Sequence, residues 1–228
     1  MTSTTIITPT IGSDELFDAC QSVANQSVPA LHLIVVDGKQ YYDRVMEVVM
    51  AVHMDNPSSY NYAELVLPFN TGADGVNGHR AYAAASNISV TPFFSFLDQD
   101  NYLAYDWVHK MQQVLDRNER SQYATCRRTI VDPNKEIIGL DNKESVGNSE
   151  LGYKLYDTNT FIFRRSMALL TPYMAIRYYK DAPEKRLGDR DLTNTIWNVP
   201  HTHLEHYHGT HYRSPEHLIP FFKEVCND

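Results

Sequence analysis

The apolar run Pro92-Phe93-Phe94-Ser95-Phe96-Leu97 ends in Asp98-Gln99-Asp100-Asn101, so a buried strand is expected to deliver two carboxylates, two positions apart, at its exposed end. Side chains at i and i+2 leave an extended chain on the same face, and oxygen ligands presented that way suit a divalent cation bridging two phosphates. An acidic turn with Asn101 as a helix cap uses the same residue types without a metal. Two further groups carry chemistry. Asp37-Gly38 follows the apolar run Leu31-His32-Leu33-Ile34-Val35-Val36, and Gly188-Asp189-Arg190-Asp191-Leu192 sets two carboxylates at the start of an expected helix. Asp-Gly is also an ordinary turn dipeptide, and acidic groups at a helix start also complement its dipole.

The elements that must position these residues alternate. Thr5–Thr10 reads as a β-rich strand stopped by Pro9, and Ser13-Asp14-Glu15 caps a helix with Leu16, Phe17, Cys20 and Val23 at helical spacing. After a turn, Leu31–Val36 has the continuous apolar character of a parallel strand covered on both faces. Open parallel sheets bind ligands beyond the carboxyl ends of their strands, so Pro9, Asp37 and Asp98 are expected to face one crevice. Downstream, the pattern predicts a helix over Tyr42–Val52, a strand over Ala63–Leu67, a Gly/Asn-rich loop over Asn70–Gly78 and a short helix over His79–Asn87. A helix over Tyr105–Asn118 and a strand over Tyr123–Cys126 follow. Asp132–Asn148 reads as loop, Thr160–Arg164 as strand, Ser166–Leu170 as a helix start and Asp189–Trp197 as helix. His201–Ser214 reads as a His- and Tyr-rich loop before a closing helix over Pro215–Val225.

With 228 residues, 43% hydrophobic and 21% charged, the chain suits one large domain with a substantial core, and disorder is excluded. A net charge of −8 argues against nucleic acid or an anionic membrane surface as the main partner, so an anionic substrate needs a metal or focused basic residues. Cys20, Cys126 and Cys226 lie far apart without CxxC spacing, as free thiols in a reducing compartment would. The first residues lack a basic region and a long apolar run, and no stretch approaches the roughly 20 apolar residues of a membrane helix. The expectation is a cytoplasmic protein with no integral membrane segment, any membrane attachment being peripheral.

Six of the ten histidines fall at His201, His203, His206, His208, His211 and His217. They form either a metal-ligand source or a solvated surface loop, and their spacings lack the Cys or HExxH frame of a dedicated zinc site.

The order of these signals resembles the GT-A glycosyltransferases of family two. That family reads S-V-L-x-Q-S before a strand ending V-V-D-D-G-S, then G…A-R-N-x-G, F-L-D-x-D and a late acidic motif. Here the matching pieces are Ser22-Val23-Ala24-Asn25-Gln26-Ser27, Val35-Val36-Asp37-Gly38, Gly78-His79-Arg80 through Asn87, Phe96-Leu97-Asp98-Gln99-Asp100 and Gly188-Asp189-Arg190-Asp191-Leu192. Two pieces depart from the pattern: Gly38 stands where the family has its second Asp, and the late motif is looser than a plain E-D. The resemblance spans Thr5 to about Trp197.

It implies an α/β/α GT-A sandwich with a mostly parallel central sheet, a single domain over 1–228 with a donor half (1–103) and an acceptor half (104–228). It implies Mn²⁺ or Mg²⁺ held by Asp98 and Asp100 against the diphosphate of a nucleotide-sugar, a UDP-sugar first among them. Asp37 would bind the base or ribose, Thr8 and Pro9 would flank the base, Arg80 would pair with the diphosphate, and Gln99 would sit in the same donor site. Asp189, with Asp191 as second choice, would be the general base of an inverting transfer to a hydroxyl of a glycan, lipid-linked or small-molecule acceptor. A late histidine, His206, His208 or His211 and first among them His208, would be a further metal ligand. Tyr153, Tyr156, Tyr173, Tyr178, Tyr179 and Trp197 would shape the acceptor pocket. Two alternatives stand beside this reading. One is a non-catalytic nucleotide-sugar-binding module, for which the altered Gly38 leaves room. The other is a sugar-nucleotidyltransferase, disfavoured because Pro9–Asp14 has one glycine and no basic residue.

Overall fold

The computed structural model describes residues 2–73, 75, 77–172 and 188–226. Eleven strands are found among these residues: β1 Thr4–Thr10, β2 Leu31–Val36, β3 Asn61–Val66, β4 Phe93–Phe96, β5 Tyr102–Leu103, β6 Tyr123–Val131, β7 Ile137–Leu140, β8 Gly147–Asn148, β9 Lys154–Leu155, β10 Phe161–Arg164 and β11 His201–Arg213. The helices are α1 Leu16–Ala24, α2 Tyr42–Asp55, α3 His79–Ile88, α4 Trp107–Arg117, α5 Gly188–Ile196 and α6 Ile219–Cys226. Nine strands form one sheet in the order β3-β2-β1-β4-β10-β6-β11-β5, with β7 on β6. The four leading positions, β3-β2-β1-β4, are parallel. β10 enters antiparallel between β4 and β6, β11 pairs parallel with β6, and β5 and β7 pair antiparallel, so the sheet expected to be mostly parallel is wholly parallel only over β3-β2-β1-β4 and mixed beyond.

Period-two alternation sends neighbouring residues of the buried strands to opposite faces. Ile6, Ile34, Val36 and Phe93 join Leu16, Val49, Trp107 and Met111 from α1, α2 and α4 in one core. Ile7, Val35, Phe94 and Phe96 join Tyr82, Leu192 and Ile196 from α3 and α5 in the other. The result is the expected α/β/α sandwich, each fully buried Ile, Leu or Phe contributing about 1.5–3 kcal/mol. Phe94 stacks on Phe163 across the β4–β10 pair with ring centroids 5.1 Å apart.

Two expectations fail on the far side. His201–Ser214 is no loop but supplies the long strand β11, which pairs with β6 along Tyr123–Val131 with two register irregularities; β6 itself runs well past Cys126. The imidazoles act as flat aromatic strand residues: His201 stacks on Tyr123 at 4.6 Å and His211 on Tyr102 at 4.5 Å. Such cross-strand pairs stabilise a sheet whatever the residues' polarity. Within the stretch read as loop, Ile137–Leu140 pairs back on β6 as β7.

Candidate active site

Strand order reverses between β1 and β4: from β1 the chain proceeds to β2 on one side, while β4 lies on the other. Such a switch point opens a crevice beyond the carboxyl ends of the strands. A cleft of about 880 Å³ lies there, and Pro9, Asp37 and Asp98 all line it. Gln99 closes its floor, its Oε1 accepting from the Thr10 hydroxyl (2.6 Å) and the Ile11 amide (3.1 Å).

Asp98 leaves β4 into a fixed setting. The Tyr82 phenol donates to its Oδ1 (2.7 Å) and Asn159 Nδ2 to its Oδ2 (2.7 Å), while the Asp98 N–H donates to the side-chain Oδ1 of Asn159 (2.5 Å). Burial first, then the charge of Asp100, pushes the Asp98 carboxyl up to about 7. Asp100, two residues on, opens to the cleft. Among the described residues no group of three His, Cys, Asp or Glu side chains converges in metal-ligand geometry. Two carboxylates alone still fit a hard divalent cation that takes its other ligands from substrate phosphates and water.

Asp37 is buried at the end of β2, its Oδ1 accepting from the Thr71 N–H (2.8 Å) and hydroxyl (2.9 Å), and its Oδ2 from the Gly72 N–H (3.2 Å). It therefore orders the loop after β3 along one wall of the cleft. Gly38 follows at φ 122°, a conformation that side-chain-bearing residues rarely adopt, so the family's second Asp is excluded at this turn. Thr8 does not flank the cleft as expected. It lies two residues inside the end of β1, with its hydroxyl 2.9 Å from Nε2 of buried His32, and Thr10 lines the cleft with Pro9 instead. Arg80 is also displaced from its expected role. Helical neighbours point about 100° apart, so His79 faces the cleft while Arg80 turns away to donate to the Thr71 carbonyl.

On the opposite wall α5 presents Asp189. Its Oδ1 is 3.1 Å from Nε2 of His79 and accepts from the Thr158 hydroxyl. Burial works against ionisation, but the hydrogen bond and charge of His79, with the Thr158 hydroxyl, outweigh it and hold the carboxyl below its ordinary value. Gly188 makes the close approach feasible, since a Cβ there would come within 2.3 Å of the His79 Nε2. Asp191 is buried and does not line the cleft, which separates the two carboxylates that the sequence left as alternatives. His208 is corrected as well. It sits on β11 with Nε2 3.3 Å from the Asn142 side chain and does not line the cleft, and His206 and His211 do not line it either. Tyr212, next to His211 and on the opposite face of β11, lines the cleft instead.

Deeper in, Arg128 is buried among three carboxylates, with Nε 2.7 Å from Asp141, Nη1 2.6 Å from Asp157 and Nη2 on Glu144. Burial alone would weaken its charge; Asp157, Asp141 and Glu144 over-compensate and hold it cationic. Arg190 lies over the Tyr153 ring at 3.9 Å. Asp37, Asp98, Asp100, Glu144, Asp157 and Asp189 therefore confront Arg128, Arg190 and His79 around the cleft. Among the described residues that line the cleft, carboxylates outnumber basic groups.

The glycosyl transferase family 2 model matches residues 5–177. The chain belongs to glycosyl transferase family 2. It is a glycosyltransferase with the GT-A fold. This family 2 chain superposes on S. aureus TarS 1–349 with TM-score 0.68 at 18% identity, over 100% of this chain and 67% of that one. The TarS 1–349 complex with UDP-GlcNAc gives TM-score 0.66 at 18% identity, over 95% and 59%. The mannosyltransferase PcManGT from Pyrobaculum calidifontis, in complex with GDP-Man and Mn²⁺, gives 0.61 at 11% identity, over 94% and 57%. Of a longer S. aureus TarS chain the present one spans 37%. No curated protein sequence matches. Among the described residues no helix is long and apolar enough to cross a membrane.

Several residues of this glycosyltransferase's cleft escape sequence reasoning. His79 stands in the Gly78-His79-Arg80 piece, where Arg80 drew attention as the cation; Gly188, a residue without a side chain beside Asp189, was the available signal. Arg128, Thr158 and Asn159 are not marked by sequence for the cleft, because Asp141, Asp189 and Asp98, the carboxylates they hold there, lie 13, 31 and 61 positions away. Of the residues expected to shape an acceptor pocket, Tyr153 lines the cleft, whereas Tyr156 and Trp197 pack together at 6.2 Å. Tyr173, Tyr178 and Tyr179 lie outside the described residues.

Proposed function

We propose that this family 2 chain is a metal-dependent, inverting glycosyltransferase that moves a sugar from a nucleoside-diphosphate donor, a UDP-sugar first among the candidates, to an acceptor hydroxyl. The observation that carries the reading is the placement of Asp98 and Asp100 across one cleft from an Asp189 held ionised by His79. Asp98 and Asp100 would hold Mn²⁺ or Mg²⁺, which when bound neutralises the charge that grows on the leaving diphosphate. Pro9, Thr10, Asp37 and Gln99 form the wall on which the nucleotide rests. Asp189 takes the proton of the acceptor hydroxyl as its oxygen bonds to the anomeric carbon, and the carbon–oxygen bond to the diphosphate breaks on the opposite face. The depressed pKa of Asp189 keeps this base unprotonated at neutral pH.

The chain would divide its labour between a donor half (1–103) and an acceptor half (104–228), with Arg128, Asp157 and Tyr212 of the second half completing the cleft. The TarS complexes with UDP and UDP-GlcNAc and the PcManGT complex with GDP-Man and Mn²⁺ support the donor class and the metal. The absence of CxxC spacing and three free cysteines support action in a reducing, cytoplasmic setting; the acceptor hydroxyl would belong to a glycan, a lipid-linked molecule or a small molecule.

The test is a thermal-shift panel of UDP, GDP, CDP and dTDP with and without Mn²⁺, on wild type and Asp98→Asn. Metal-dependent stabilisation by one nucleotide, lost in the variant, supports the donor site and names the base. No shift with any nucleotide sinks the reading. Nucleotide binding without turnover of any nucleotide-sugar would instead favour a binding module.

A further inference from the structure

The short 3-10 turn Asp157-Thr158-Asn159-Thr160 leads into β10 between the two walls of the cleft and is almost wholly buried. Its backbone is pinned from several elements. Asp157 accepts from the Asn159 N–H (2.9 Å) and Asn159 Nδ2 (2.7 Å) through Oδ1, and from Arg128 on β6 through Oδ2. The Asp157 N–H donates to the Ser145 hydroxyl (2.6 Å), and Thr210 on β11 donates to the Asn159 carbonyl (3.0 Å). Those bonds suffice to build the turn.

Three others lead outward and have no part in closing it. Asn159 exchanges a reciprocal pair of hydrogen bonds with Asp98, and Thr158 donates to Asp189. Adjacent residues of one rigid turn thus grip the two carboxylates on which the proposed reaction depends, one on the donor side and one on the acceptor side.

We propose that this turn is the positioning element of the reaction centre, with Asn159 aiming Asp98 at the metal and diphosphate, Thr158 aiming Asp189 at the acceptor oxygen, and Arg128 anchoring both through Asp157. The proposal rests on the glycosyltransferase reading of Asp98 and Asp189. Adjacency on one turn sets the separation between leaving group and base without relying on the loops that carry the nucleotide. Reaction geometry of this kind is sensitive to displacements of about 1 Å.

The test compares wild type with Asn159→Ala, Thr158→Val and Thr158→Ser in two measurements. One is calorimetric binding, with Mn²⁺, of whichever of UDP, GDP, CDP and dTDP stabilises the wild type most. The other is release of that nucleotide from the matching nucleotide-sugar that wild type turns over fastest. Asn159→Ala is expected to weaken metal-dependent nucleotide binding about 10–100-fold, as loss of a group that orients a ligating carboxylate does. Thr158→Val is expected to lower kcat about 100-fold while nucleotide affinity holds, and Thr158→Ser, which restores the hydroxyl, to recover most of the rate. If Asn159→Ala fails to fold, Asn159→Ser carries the same expectation. Wild-type nucleotide affinity in the Asn159 variant, wild-type turnover in Thr158→Val, or no recovery in Thr158→Ser overturns the proposal. A wild type that binds none of the four nucleotides overturns the donor-site reading itself, a result seen before any variant is compared.

Discussion

Nε2 of His79 stands 3.1 Å from Oδ1 of Asp189, joining the first residue of α3 to the second residue of α5 across 110 positions of sequence. The pair holds a half-buried carboxyl ionised, and on the proposed reading, in which that carboxylate is the base, Asp189→Asn is expected to lower turnover about 10²–10⁴-fold. His79→Ala removes the hydrogen bond and charge that depress the Asp189 pKa. The acid limb of the kcat/KM profile, which reports the ionised base, is then expected to move to higher pH. Steady-state kinetics at saturating Mn²⁺, which takes the Asp98 titration out of the profile, and carried down to about pH 3, because this base titrates below the usual carboxylate range, checks both; an unmoved acid limb in His79→Ala removes His79 from this role.

Gly188→Ala is predicted to imitate His79→Ala. The added Cβ would meet the His79 ring at 2.3 Å and push the imidazole off Asp189. Because the ring can swing into the open cleft and alanine favours helix, stability should stay within about 1 kcal/mol of wild type. Thermal unfolding alongside the kinetics separates the two effects.

Metal-linked nucleotide binding should strengthen with pH. Asp98 carries a pKa raised to about 7, and a cation must displace the proton before it binds the carboxylate. Stabilisation by nucleotide with Mn²⁺ is therefore expected to grow from pH 6 to pH 8 and to vanish in Asp98→Asn. At a ligand concentration near 100 times Kd it amounts to about 2.7 kcal/mol, on the order of 5–10 °C in Tm for a chain of this size. Thermal shift at the two pH values reads it directly; equal shifts contradict the assignment.

His32 supplies a separate pH dependence, away from the cleft. Fully buried, with its ring nitrogens 2.9 Å from the Tyr60 and Thr8 hydroxyls, it has a pKa depressed to about 3 by burial. Between that value and about 6.5 the unfolded chain binds a proton that the folded chain does not, so stability falls as pH drops through this window. His32→Gln, which keeps polar contacts without titrating, is expected to flatten the acid arm by up to about 1.4 kcal/mol per pH unit. Denaturant titrations at pH 4, 5 and 6, approximate points inside this window, would show it.

Phe94 tests the core that carries β4 and hence Asp98. It is fully buried between Phe96 and Phe163, and Phe94→Ala should cost about 3–5 kcal/mol. Chemical denaturation measures the loss; a change under 1 kcal/mol, roughly the cost of a well-tolerated core swap, would contradict this packing.

The sequence by itself determined the near half of the protein. Runs such as Leu31–Val36 and Phe93–Leu97 are apolar because both faces of a parallel strand are covered, and the polar residue that ends each run must then emerge at the sheet's carboxyl edge. Asp37, Asp98 and Asp100 were legible for that reason, since local pattern and site position share one cause. Only the tertiary structure decided the rest. His201–Ser214 reads as a His- and Tyr-rich loop until Tyr123 and Tyr102 on neighbouring strands offer aromatic faces to His201 and His211. Sequence ranks Asp189 before Asp191 only by resemblance, and the rotation of one helix sends the first to the cleft and buries the second. His79, Arg128, Thr158 and Asn159 gain their roles from partners distant in the chain, and a hydrogen bond between distant residues leaves no periodicity for a sequence to display.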